Sequence, residues 1–551
     1  MELQRIRLFL LIALFAIGMS LYSAWQQEHP PAETVVTTLP AKGESDIPSV
    51  QVVPNSAIMP IQQTTVIRQE IEVTTDVLKV KIDPLGGDIV RAELIKYPQT
   101  LDPLSSGVVF LDHSEMRNFV AQSGLIGKNE LGPDSRTLGR ALYEVVQTTY
   151  HLGDQSSLKV DLHWKNENGL QVIKSLIFKK GSYLIEVQYQ ITNATPSVWL
   201  GSFYGQIRRE FVKEASSSFL MGVQMYQGGA LYTPNKPFKK ISFPDMQKAA
   251  YKEQIEGGWA ALLERYFLCA FIPKTEAINH YYTRVDESNV YNIGETTAVE
   301  VAPHATGSIK GEFYIGPEAA DVLKTISPGL NLTVDYGILW PISQVLFWLL
   351  KTINEFIGNW GWSIILVTLV IKILFYPLSS ASYRSMGNMR RLQPRIELLK
   401  ERHKEDKQQF SAALMELYRK EKLNPLGGCL PILIQIPVFI ALYYVLLESV
   451  ELRHAPFMFW IKDLSAKDPF YILPLIMGAT MFLQQKMNPA PPDPMQAKVM
   501  MFMPVIFTAL FLNFPSGLVL YWTANNILSM GQQWYIMRQM QQPKTALQKV
   551  K

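Results

Sequence analysis

Residues 361–378 carry a single charge, Lys372, in a run otherwise made of apolar, small and hydroxyl side chains. Residues 426–447, 470–484, 498–513 and 516–535 are further apolar runs of similar length. Such runs leave the backbone few options. In hydrocarbon every N–H and C=O must be satisfied within the segment, so each run reads as a helical span. Residues 8–25 form one more, and at about 1.5 Å per residue they make roughly 27 Å of helix. This first run is long for a cleaved leader, and a cut after Ala24 places Tyr22 where a small residue is wanted. It reads as an uncleaved anchor. The expected fold is a multi-pass α-helical membrane protein with six spans.

Only 18% of the 551 residues are charged, and the net charge is +4. That excludes a disordered chain and a strongly basic nucleic-acid binder, so no DNA partner is expected. Two cysteines, Cys269 and Cys429, cannot build a disulfide framework or a cysteine zinc site. Residues 26–350 hold 28 Lys and Arg against 35 Asp and Glu, a net −7, which leaves +11 for the rest. Positive loops stay in the cytoplasm. Arg5 and Arg7 keep the N-terminus inside, and six spans return the C-terminus there. The loop at residues 379–425 has eleven basic and six acidic side chains, and the tail has no acidic one. The loop between the third and fourth spans is net negative and falls outside. The expected topology has both termini cytoplasmic.

The exported part is large. Residues 26–64, rich in Pro, Thr, Glu and Ser, read as a flexible linker. Residues 65–335 alternate apolar and polar side chains in short runs separated by turns, as in residues 77–83, 88–94, 158–164, 170–178 and 183–191. That pattern predicts an antiparallel β-sandwich. His113, His151, His163, His280 and His304 lack ligand spacing, and no nucleophile–base pair, P-loop or paired intramembrane carboxylate occurs. No enzyme activity, metal or cofactor is expected. Residues 336–357, with Trp340 and Trp348, predict an amphipathic helix on the outer membrane surface. Residues 358–537 follow as the five-span core.

Lys372 is the sharpest chemical feature. A charge near mid-span costs roughly 2.5–3.5 kcal/mol on insertion scales, so it faces a polar cavity or snorkels to the inner headgroups. Thr368 lies one turn earlier on the same face. On the last span Trp522, Asn525, Asn526, Ser529 and Gln533 recur at steps of three and four, and Gln435 sits on the third span between Pro431 and Pro437. These polar side chains line a shared hydrated pocket or hold the helices together by hydrogen bonds. Pro394 is expected to break or kink the first helix of a charged hairpin at residues 379–425. Its Arg384, Arg390, Arg391 and Arg395, with Lys544 and Lys549 of the tail at residues 538–551, suit anionic lipid or ribosomal RNA.

Several motifs are specific enough to name a family: Gly358-Asn-Trp-Gly-Trp-Ser363, Tyr376-Pro-Leu378, Leu392-Gln-Pro394, Asn424-Pro-Leu-Gly-Gly-Cys429, Gln435-Ile-Pro437, Ala441-Leu-Tyr-Tyr444, Asp468-Pro469, Phe502-Met-Pro504 and Phe514-Pro-Ser-Gly-Leu518. The stretch from about residue 336 to 537 closely resembles the YidC/Oxa/Alb family of membrane-protein insertases. In the exported part Gly257-Gly-Trp259 and Tyr266-Phe267 match less strongly. The resemblance implies a five-helix insertase core with a hydrophilic groove, closed on the outside, and a periplasmic β-supersandwich of the Gram-negative type. It implies an insertase and chaperone for newly made inner-membrane proteins. The partners it implies are nascent membrane proteins, the Sec translocon with its accessory subunits, and the ribosome. The groove cation of the family, usually Arg, falls on Lys372, its groove threonine on Thr368 and its third-span glutamine on Gln435. Its groove tyrosine falls on Trp522, where the hydroxyl is absent. The alternatives are a small-molecule transporter, which lacks its inverted repeats and buried carboxylates here, and an exported sugar-binding sandwich.

Overall fold

A computed structural model describes residues 69–541 except 116, 129–130, 136, 211–225, 275–276, 287–288, 404–405, 422–429 and 490–493. For residues 407, 430–434, 494–496 and 541 it describes the backbone alone. The N-terminal anchor, the linker, Cys429, Lys544 and Lys549 therefore lie outside the described residues.

The alternating segments form two stacked sheets, one of ten strands and one of nine. In Leu78–Asp83 the apolar positions Leu78, Val80 and Ile82 are fully buried while Lys79 is exposed, as a half-covered strand requires. Gly86 and Gly87 turn that strand into Asp88–Pro98 with φ of +80° and +64°, a region open to glycine. Among the described residues neighbouring strands pair antiparallel with one exception: Ile71–Thr74 lies parallel to Thr149–His151. This corrects the expectation of a purely antiparallel sandwich. A short edge strand joined through a long connection is free to pair in either sense. Between the sheets Tyr189, Phe203, Phe271 and Phe313 interlock in edge-tilted contacts 4.8–5.8 Å apart.

Ten helices are described, two of them short and within the β domain: α1 (Phe243–Lys248) and α2 (Ala320–Ile326). The rest follow as α3 (Trp340–Ile357), α4 (Trp360–Leu374), α5 (Tyr376–Arg402), α6 (Lys407–Lys420), α7 (Leu430–Glu448), α8 (Ile472–Met487), α9 (Pro494–Phe511) and α10 (Ser516–Gln541). The second apolar run does not continue to residue 378. It ends at Leu374, and α4 and α5 meet at 71°. Pro377, without an N–H to donate, sits in the first turn of α5 and favours a fresh helix start there. By contrast α5 is not broken at Pro394. Leu392 and Ile396 on either side are buried against Tyr418 of α6, and this packing holds the hairpin together across the missing hydrogen bond. Among the described residues no single helix is both long and apolar enough to cross a bilayer; α4 and α5 together are, but only as that bent pair.

The β domain and the helices share apolar core. Trp259, Leu268, Tyr314 and Leu330 of the former pack in one cluster with Leu350, Ile364, Leu442, Leu446, Leu464 and Leu518 of the latter. Arg453, in the loop after α7, donates to the carbonyls of Pro98 (2.8 Å) and Gln99 (3.3 Å). The sandwich is thus docked on one end of the bundle.

Candidate functional site

Lys372 lies two residues before the end of α4 and is 6% exposed, its ammonium turned into the bundle. Its Nζ donates to Ser529 Oγ on α10 at 2.7 Å and to Gln435 Oε1 on α7 at 3.2 Å. Ser529 spends its own proton on the Asn525 carbonyl (2.6 Å), which leaves its oxygen free to accept. Gln435 Nε2 donates to the Tyr521 hydroxyl (2.8 Å) and to Asn525 Oδ1 (2.6 Å). One glutamine thus ties three helices around a cation. An ammonium has three donors. Both acceptors here are neutral, and among the described residues the third donor has no protein acceptor. Lys372 and Gln435 line a small, partly open cleft of about 20 Å³ with Ile371, Phe375, Leu378, Ser379 and Val438, in the angle between α4 and α5.

The other candidate residues divide. Thr368 is buried, but its hydroxyl donates to the Ile364 carbonyl of its own helix (2.7 Å) and takes no part in the network. The polar stripe of α10 splits in two. Asn525 and Ser529 face Gln435 and Lys372. Asn526 donates to Thr480 of α8 (3.1 Å), and Gln533 to the Met487 carbonyl and Asn488 Oδ1 (3.2 Å each). Trp522 is outside the network altogether. Its ring packs on Phe439 (4.7 Å, near perpendicular), Phe511 (5.5 Å) and Phe507 (6.0 Å), and its Nε1 has no hydrogen-bond partner among the described residues.

Sequence reasoning missed Tyr521. Its hydroxyl meets Gln435, one residue from the position where the resemblance placed a lost hydroxyl. The signal was present: Tyr521, Asn525 and Ser529 recur at i, i+4 and i+8, one stripe of a helix. The hairpin arginines Arg384, Arg390, Arg391 and Arg395 are all exposed on α5. Arg391 donates to the Met540 carbonyl near the end of α10 (2.5 Å), and Arg395 pairs with Glu421 (2.7 Å).

Comparison with known proteins covers nearly the whole chain. The family described as "YidC periplasmic domain" matches residues 70–349, and "60Kd inner membrane protein" matches residues 352–544. A membrane protein insertase YidC of Pseudomonas syringae is 48% identical over 554 residues, 97% of this chain and 98% of the relative. That of Azotobacter vinelandii is 48% identical over the same shares. A crystal structure described as an active YidC insertase with its first transmembrane domain resolved is 21% identical, covering 86% of this chain and 93% of that one with a TM-score of 0.38. The assignment rests on the sequences: the chain belongs to the YidC family of inner-membrane protein insertases.

Proposed function

We propose that the chain, a membrane protein insertase by family, works through the cleft beside Lys372. One observation carries the reading: a buried ammonium held by two neutral oxygens, with one donor left over, at the wall of a cleft. A new membrane protein must bring a polar tail across hydrocarbon, at several kcal/mol for each unsatisfied group. A polar pocket part-way through shortens that apolar path. The spare donor of Lys372 attracts an acidic tail, and the apolar segment then leaves sideways into lipid, driven by its own burial.

In this reading α4, α7, α8, α9 and α10 are the five spans of the core, and the anchor at residues 1–25 is the sixth. At about 1.5 Å per residue α4 covers only roughly 22 Å, less than a typical bilayer core, which favours local thinning beside the cleft. The rings around Trp522 pack on the apolar cluster that the bundle shares with the β domain. The hairpin α5–α6 and the tail face the cytoplasm, where Arg384 and Arg390 meet ribosomal RNA or anionic lipid. The substrates are nascent membrane proteins, taken alone or with the Sec translocon. A transporter reading finds no support among the relatives.

The test is insertion of single-span substrates with acidic or neutral tails into liposomes holding this protein alone, read by protease protection. Lys372→Arg should preserve insertion. Lys372→Glu should depress the acidic-tailed substrates selectively. Equal insertion of both substrates by the Glu variant overturns the role of the cation.

A further inference from the structure

The geometry points to a second lipid contact, made by the β domain itself: the turn at residues 99–106 carries Leu101 and Leu104 into the outer leaflet. This inference rests on the reading of α4 and α7–α10 as membrane helices.

The turn joins the strands Asp88–Pro98 and Gly107–Ser114. Its base is closed by Gln99 N–H donating to the Ser106 carbonyl (2.9 Å), and its tip is folded by Asp102, whose carboxylate accepts from the Leu104 N–H (2.9 Å). The acidic side chain is thus engaged within the turn. Leu104 is 94% exposed and Leu101 52%. Two leucines on one short, hydrogen-bonded turn are an apolar tip that no described residue covers.

The position of the tip says what covers it. The strand before it ends where Arg453 grips the carbonyls of Pro98 and Gln99. Arg453 lies five residues beyond the end of α7. The rings of Tyr97, Tyr183 and Phe267 mark the same end of the sandwich, and the Arg453 guanidinium lies over Phe267 at 5.9 Å. The turn therefore extends from the end of the sheet that docks on the helices. The loop that holds Arg453 adds its own apolar tip. Phe459 is 74% exposed, stacks on Trp460 at 6.1 Å, and sits at φ +55°, where a bulky residue is disfavoured. A lipid surface suits all of this, because exposed leucine and phenylalanine bound to the outer ends of spans enter the acyl boundary without a shaped partner.

The test places an environment-sensitive fluorophore on Leu104→Cys, Val505→Cys and Val198→Cys in the full chain carrying Cys429→Ser. Cys269 is fully buried and stays unlabelled. Val505 is a 64%-exposed position of α9 and reports whether the bundle spans. Val198 is exposed beyond Asn193, the far end of the strand Leu184–Asn193, about 30 Å from Tyr183 at roughly 3.3 Å per residue. The protein is reconstituted in phosphatidylcholine–phosphatidylglycerol vesicles, with quenchers either on the lipid chains or as aqueous iodide. Expected are blue-shifted emission and lipid quenching at residues 104 and 505, and iodide quenching at 198. Lipid quenching at 505 with iodide quenching at 104 overturns the inference and leaves the membrane reading intact. Shielding of 104 from both quenchers means a protein cover and also overturns it. Iodide quenching at 505 removes the membrane reading and the inference with it.

Discussion

Ser529 on the last helix accepts a hydrogen bond at 2.7 Å from Lys372, which lies 157 residues earlier on α4. The contact fixes the register of α10 against α4 and puts a buried charge next to an acceptor that carries none. Among the described residues a cation in that position is stabilised by dipoles alone, so a negatively charged group entering the cleft would meet an attraction not already spent on a protein carboxylate.

Gln435→Glu should fill that vacancy. A carboxylate at the site now 3.2 Å from Nζ pairs with Lys372 directly. Insertion of acidic-tailed substrates should fall by roughly tenfold, the equivalent of about 1.4 kcal/mol in the barrier. Neutral-tailed substrates should change little. Gln435→Leu instead strands Tyr521 and Asn525 and should lower unfolding stability by about 1–3 kcal/mol. Parallel insertion assays and thermal unfolding in detergent separate the two effects.

Gly361→Ala tests the packing of α4 against the loop after α7. An added Cβ meets the Phe457 ring at 2.0 Å, a clash with the body of a ring. Thermal unfolding should show a loss of about 1–3 kcal/mol. Phe457→Leu in the same chain should recover part of it. Unchanged stability in the single variant counts against the contact.

Glu295, fully buried in the strand Val290–Val301, has its carboxyl pushed up from 4.5 to about 8 by burial, although the Thr297 hydroxyl donates to it at 2.8 Å. The folded chain keeps this proton to about pH 8, whereas the unfolded chain releases it near 4.5. Stability should therefore fall as pH rises between those values and level off above them. Glu295→Gln carries no such term. Its advantage over the parent chain should grow to roughly 2–4 kcal/mol at pH 8, below the full linkage value. Thermal midpoints of both chains at pH 5 and pH 8 decide; parallel pH dependence refutes the assignment.

Arg453→Ala should loosen the join between sandwich and bundle. Two backbone acceptors, Pro98 and Gln99, lose their donor. Amide exchange at Gln99 should quicken by roughly fivefold, matching about 1 kcal/mol for the lost bonds. Exchange within Leu184–Asn193, which Arg453 does not touch, should stay unchanged.

Much of the β domain was legible because strand alternation is local: the run at residues 78–83 announces its buried face by itself. The apolar runs announced helices for the same reason. The break at Phe375 and the continuity through Pro394 were not legible, although both involve proline. Pro377 starts a helix because the chain has room to turn there, while Pro394 stays inside one because Leu392, Ile396 and Tyr418 hold the hairpin in place.

The candidate site divides in the same way. The sequence by itself determined that a cation lies in an apolar run, that amides and hydroxyls recur along the last helix, and that no carboxylate accompanies them within the spans. These are matters of residue type and spacing. Only the tertiary structure decided that Asn525 and Ser529 turn to Lys372 while Asn526 and Gln533 turn to α8, and that Tyr521 rather than Trp522 meets Gln435. Helical periodicity assigns residues to an arc, and neighbours one step apart differ by about 100°. Which edge of that arc meets which neighbour depends on how five helices pack against one another, and that is settled by contacts between residues far apart in the chain.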